Sequence, residues 1–136
     1  MTYTEANAMA VNVNWNTNNY LTLTFSDDIS GKDLRQVIAY LGGDHRLDYM
    51  RYLLCDWRPV SSTLLTIEDV ENFAAHISAI AKSNARVAQA SIMQSKEESR
   101  QSLFSLYGFL LQECPWQVAL FNDELEVKAW FDSISV

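Results

Sequence analysis

The chain has 136 residues, 49% of them hydrophobic and 20% charged, and its 10 basic and 17 acidic side chains leave a formal charge of −7. That length is one ordinary domain with enough chain to bury a core. The acidic balance opposes generic attraction to nucleic acid, and no apolar run approaches the roughly 20 residues of a membrane-spanning helix. We therefore expect no nucleic-acid partner and no stable membrane insertion. The opening Met-Thr-Tyr-Thr-Glu-Ala-Asn-Ala has neither the basic start nor the apolar stretch of a secretory signal, so a cytoplasmic address is expected. Residues 1–8 read as a flexible tail and 9–136 as a single domain. Cys55 sits in an apolar run and Cys114 just before Pro115, which argues for two reduced thiols.

From about residue 9 to 25 apolar and polar residues alternate. Val11, Val13 and Trp15 share one face, Leu21, Leu23 and Phe25 another, and Asn16-Thr17-Asn18-Asn19 supplies a turn between them. A hairpin is predicted. The period then changes to that of a helix, with Leu34, Val37, Ile38 and Leu41 at i, i+3, i+4 and i+7. Ser30 and Asp33 resemble a capping box at its start, and Gly42-Gly43 is expected to end it. Residues 51–57 carry the continuous apolar centre of a strand covered on both faces, closed by Asp56.

A loop through Pro59 and Ser61-Ser62-Thr63 follows. Thr66 then caps a second helix, expected to reach Asn84, that turns Val70, Phe73, Ala74, Ile77 and Ala81 inward. Residues 87–93 form a further strand. Residues 96–112 form a third helix with Leu103, Leu106, Tyr107, Leu110 and Leu111 on its buried side, stopped at Cys114-Pro115. A last strand, 116–121, leads into a helix capped by Asn122 or Asp123 that buries Val127, Trp130 and Phe131. The order ββαβαβαβα predicts an α/β fold: a five-stranded, mostly parallel sheet with an antiparallel edge hairpin and four helices.

Val118-Ala119-Leu120-Phe121-Asn122-Asp123, then Glu126 and Ala129-Trp130-Phe131, resemble the C-terminal end of STAS-fold proteins of the SpoIIAA-like branch. Arg86-Val87-Ala88 as the fourth strand and Thr66-Ile67-Glu68-Asp69-Val70 as the opening of the second helix extend the likeness, which covers about residues 10–134. The resemblance implies a non-enzymatic regulatory or protein-interaction module. Because that branch is described together with SEC14-type lipid-transfer domains, it also implies an alternative, a small carrier of an apolar or lipid-like ligand. STAS anti-sigma antagonists bear a phosphorylated serine in an Asp-Ser-Ser-Gly turn after the third strand. This chain departs there, with Asp56-Trp57-Arg58-Pro59-Val60-Ser61-Ser62-Thr63 and no glycine after the serines.

Catalytic and cofactor signatures are missing. With four glycines in all, no glycine-rich strand-to-helix turn can surround a phosphate, and there is no Gly-x-Ser-x-Gly elbow. His45, among Asp44, Arg46 and Asp48, reads as a charged loop, and His76 as a helix-surface residue. Neither stands at metal-ligand spacing. We expect no catalytic residue, no metal and no cofactor.

Open α/β sheets bind ligands beyond the carboxyl ends of their strands, which nominates Asp56, Trp57, Arg58, Ser61, Ser62 and Thr63, with Ser95 and Lys96 on the same edge. The candidate chemistry is a small anion or a phosphorylation; turn and cap chemistry is the competing reading. The mixed aromatic and basic set Arg46, Tyr49, Arg51, Tyr52, Trp57 and Arg58 reads as packing with peripheral ion pairs. Phe104 lies off the main stripe of the third helix. With Phe109 it nominates an apolar surface for a protein partner, for self-association or for the wall of a ligand pocket. A carrier would need an apolar cavity of about 300 Å³ or more.

Overall fold

Alternation builds the first two elements. In a computed structural model, which describes residues 10–134, β1 (Val11–Thr17) pairs antiparallel with β2 (Tyr20–Phe25). Their register sets Val11 opposite Phe25 and Val13 opposite Leu23. A short β3 (Asp27–Ile29) follows, opened by Asp27 at φ 58°, a left-handed conformation that aspartate tolerates better than most residues. Then come α1 (Gly31–Gly43), a 3₁₀ turn (His45–Tyr49), β4 (Tyr52–Asp56), β5 (Val60–Thr63) and α2 (Ile67–Ala81). The chain continues through β6 (Ala88–Ile92), α3 (Glu98–Leu110), β7 (Gln117–Phe121) and α4 (Glu124–Ser133).

The main sheet has the order β1-β2-β4-β6-β7, so the hairpin occupies one edge and the other pairings are parallel. Strand alternation gives it two buried faces. Leu21, Leu23, Phe25, Leu53 and Cys55 meet Leu34, Val37 and Leu41 of α1, with Ala74 and Ile77 of α2, in the larger core. Leu54, Ala88, Ala90 and Ile92 meet Val127 and Phe131 of α4 in the smaller one. No helix among the described residues is long and apolar enough to cross a membrane.

Two sequence expectations need correction. The stretch read as a loop through Ser61-Ser62-Thr63 is instead β5, which pairs parallel with β3 as a separate two-stranded ribbon. The glycine pair does not stop α1. Both glycines lie within the helix, no described glycine has positive φ, and the chain leaves at Asp44 in extended backbone, where its carboxylate accepts from Arg46 N at 2.9 Å. The side chain of Arg46 holds that carboxyl down at about 2.

The starts of α1 and α2 lie against each other. Asp33 accepts from the backbone N–H of Ser30 at 2.8 Å; Asp69 accepts from that of Thr66 at 3.0 Å, and Thr66 Oγ1 from Asp69 N at 3.1 Å. A Cβ added at Gly31 would come within 2.3 Å of Asp69 Oδ1. Gly31→Ala is therefore expected to dislodge the Asp69 carboxylate and cost about 1–2 kcal/mol, the worth of a helix cap. Urea denaturation checks this; an unchanged midpoint would show that the two helix starts have slack between them.

Candidate functional site

The carboxyl ends of β4, β6 and β7 are laced together by backbone bonds, Trp57 N to Ile92 O at 2.9 Å and Met93 N to Phe121 O at 3.1 Å. Asp56, at the end of β4, accepts from Arg58 through its backbone N–H at 3.0 Å, Nε at 2.9 Å and Nη2 at 2.8 Å. Arg58 Nη2 also donates to Glu124, in the first turn of α4. Partial burial alone would raise the Asp56 carboxyl, but the Arg58 hydrogen bonds outweigh it and hold the group below its usual range. Two carboxylates in turn push the Arg58 guanidinium further up. This cluster ties the end of a central strand to the start of α4, which packs on the Leu54 face of the sheet.

Trp57 turns inward. It is buried, stacked on Phe25 with ring centroids 4.1 Å apart and 7° between planes, and met edge-on by Phe104 at 5.1 Å. Ser61 is exposed, and its carbonyl accepts from Arg100 Nη2 at 3.4 Å. Ser62 donates to Asp28 across the β3–β5 ribbon at 2.6 Å, and Thr63 pairs with Ile29. Ser95 accepts from Glu97 N at 3.1 Å ahead of α3, and Lys96 is exposed beside it. The nominated residues thus reach one end of the sheet in distinct roles: Trp57 in the core, Asp56 and Arg58 in an ion cluster, Ser62 in a ribbon bond, and Ser95 at a helix start.

Phe104 and Phe109 do not make one patch. Phe104 is half-buried against the larger core, whereas Phe109 is 64% exposed. The polar linkage Tyr107 OH to Gln89 Oε1, 2.9 Å, and Gln89 Nε2 to Cys55 Sγ, 3.6 Å, lies beneath the helices. Burial pushes the Cys55 thiol up to about 12 and the Tyr107 hydroxyl well above its ordinary value. His45 is exposed, and His76 donates from Nδ1 to Asn72 O at 2.8 Å on the surface of α2. No group of three or more His, Cys, Asp or Glu suited to a metal ion occurs among the described residues.

Sequence reasoning passed over the exposed pair Leu64 and Ile67, 64% and 62% accessible. They flank the Thr66 cap, and Leu64 is fixed by its N–H to Ile29 O at 2.7 Å. Asp27, Asp28 and Glu68 are exposed in the adjoining segments. The signal was present in the sequence as apolar residues within two positions of a helix cap, outside any buried stripe.

The pocket between α2, α3 and the sheet, lined by Phe25, Trp57, Phe73, Phe104 and Ser91 among others, has a volume of about 50 Å³. That is several-fold below the capacity a lipid or other sizeable apolar ligand requires, so the space beneath α2 and α3, where a carrier would hold its ligand, gives the carrier alternative no support.

No protein-family model and no curated protein matches the sequence. Solved structures do. The unphosphorylated form of the anti-sigma factor antagonist SpoIIAA aligns with a TM-score of 0.60 at 8% identity, over 92% of this chain and all of that one. The phosphorylated form of SpoIIAA, a cell fate determinant of Bacillus, aligns with a TM-score of 0.54 at 10% identity, over 90% of this chain and 99% of that one. The chain has the STAS, SpoIIAA-like fold.

Proposed function

We propose that this protein is a non-enzymatic regulatory module that docks a protein partner at the end of the sheet marked by Leu64, Thr66 and Ile67. The observation that carries the reading is the Leu64–Ile67 pair: two large apolar side chains held in water on rigid supports, one by a ribbon bond and one by the first turn of a capped helix. The fold supports it, since SpoIIAA is described as an anti-sigma factor antagonist, a role performed by binding proteins. The chemistry of the same end supports it too: Asp56 and Arg58 neutralise one another and Ser62 is bonded to Asp28, an arrangement that builds a surface more than it prepares a nucleophile. Ser61, exposed beside this surface, is the residue of the nominated loop best placed for modification.

Photo-crosslinking in the native host tests the reading. A benzoylphenylalanine at position 64 or 67 is expected to give discrete adducts with another polypeptide, and one at Asn18, in the turn between β1 and β2, to give none. Adducts to a second copy of the chain would make the partner itself. Equal labelling from all three positions would refute a docking surface here.

A further inference from the structure

The third helix is held differently from the other two on its side of the sheet. α1 buries Leu34, Val37 and Leu41, and α2 buries Val70, Ala74, Ile77 and Ala81. In thirteen residues α3 fully buries Arg100 alone; Leu103, Phe104, Leu106, Tyr107 and Leu110 each keep a partly exposed edge. Of the stripe expected on its buried side, only Leu111, just past the helix, is fully buried. Side chains with an exposed edge contribute less than full burial of each would bring. Arg100 anchors the helix poorly. Its Nε is buried without a partner, and its Nη2 makes two long contacts, 3.4 Å to Ser61 O and 3.3 Å to the exposed carboxylate of Glu97.

The sheet beneath α3 is unusual in the same place. Gln89 and Ser91, on the helix-facing side of a central strand opposite Leu53 and Cys55, are buried polar residues in what is otherwise an apolar layer. Ser91 lines the 50 Å³ pocket under Phe104 and Tyr107, which has room for water. At its carboxyl end the helix is fastened: Leu111 and Trp116 are buried, and Trp116 Nε1 donates to Asn84 O at 2.6 Å.

We propose that α3 lifts from the sheet as a unit while the rest of the fold stays intact, pivoting near Leu111 and admitting water to the strip formed by Cys55, Gln89 and Ser91. Incomplete apolar cover, a buried guanidinium whose Nε lacks a partner and a polar floor all favour opening at the amino-terminal half of the helix, and the Leu111–Trp116 anchor limits it to α3. Such sub-global opening is the ordinary behaviour of the least-packed unit of a domain.

Cys55 reports the motion, because closed it is buried with its thiol pushed up to about 12 and therefore unreactive. In a Cys114→Ser background, a small thiol reagent is expected to label native Cys55 about 100-fold faster than global unfolding allows, with weak dependence on urea. Arg100→Leu, which replaces the incompletely satisfied guanidinium by apolar cover, is expected to slow labelling about 10-fold. Hydrogen exchange is expected to place the fast amides in α3 and the slow ones in α2. Labelling that follows the rate and urea slope of global unfolding would overturn the proposal, and so would fast exchange in α2 with protection in α3.

Discussion

Trp57→Ala is expected to destabilise the protein by about 3–5 kcal/mol, the cost of deleting a large buried aromatic. The indole is sandwiched between layers: Phe25 of the edge hairpin stacks on it at 4.1 Å and Phe104 of α3 meets its edge at 5.1 Å. Removing it empties the space between the end of β4 and the least-anchored helix, so α3 loses its principal aromatic contact as well. Urea denaturation followed by far-UV circular dichroism measures this without relying on tryptophan fluorescence. A loss below about 1 kcal/mol would mean that the side chain is not part of the core.

The second large effect is expected at Asn84. Its buried amide donates from Nδ2 to Leu47 O at 2.7 Å and Met50 O at 2.9 Å, while its Oδ1 accepts from Arg86 N at 3.2 Å. One side chain thus fastens the segment after α2 to the turn that precedes β4. Asn84→Ala removes one of two donors from each carbonyl, Leu47 O keeping Met50 N at 3.2 Å and Met50 O keeping Arg51 Nη1 at 2.8 Å, and a cost of about 1–3 kcal/mol is expected for two buried hydrogen bonds at ~0.5–1.5 kcal/mol each. Asn84→Asp is expected to be destabilising as well, because a carboxylate cannot donate to those carbonyls. A near-neutral alanine variant in the same denaturation measurement would show that water replaces the amide at no cost.

What the sequence made legible follows from how strongly each element repeats a period. The hairpin, the parallel strands and the four helices announce themselves through alternation, through apolar runs such as Leu53-Leu54-Cys55, and through caps at Ser30, Thr66 and Asp123. The β3–β5 ribbon was not legible, because Asp27-Asp28-Ile29 and Val60-Ser61-Ser62-Thr63 are too short and too polar to show a period. Their pairing is decided by tertiary contact. Gly42-Gly43 misled for a related reason: glycine permits a left-handed stop without requiring one, and Asp44 with Arg46 supplied another exit.

For the candidate residues, position along the strands was legible more than the role of each side chain. Position at the carboxyl ends of strands brought Asp56, Arg58, Ser61 and Ser95 to the same end of the sheet, yet the pattern could not show that Trp57 turns inward. Nor could it separate Phe104 from Phe109, because the stripe of α3 lies over Gln89 and Ser91 and keeps a partly exposed edge. Leu64 and Ile67 escaped notice because an apolar residue beside a cap reads equally as a packing contact until its exposure is known.

Affinity for the partner identified by crosslinking tests the central claim most directly. The comparison is between the wild-type chain and the Leu64→Asp, Ile67→Asp double variant, with circular dichroism confirming that both are equally folded. Both residues are exposed, so stability is expected to change little. Binding is expected to weaken by about 100-fold or more, as for loss of a central apolar contact worth ~2–4 kcal/mol. Undiminished binding by a folded double variant would contradict the assignment of this end of the sheet as the docking surface.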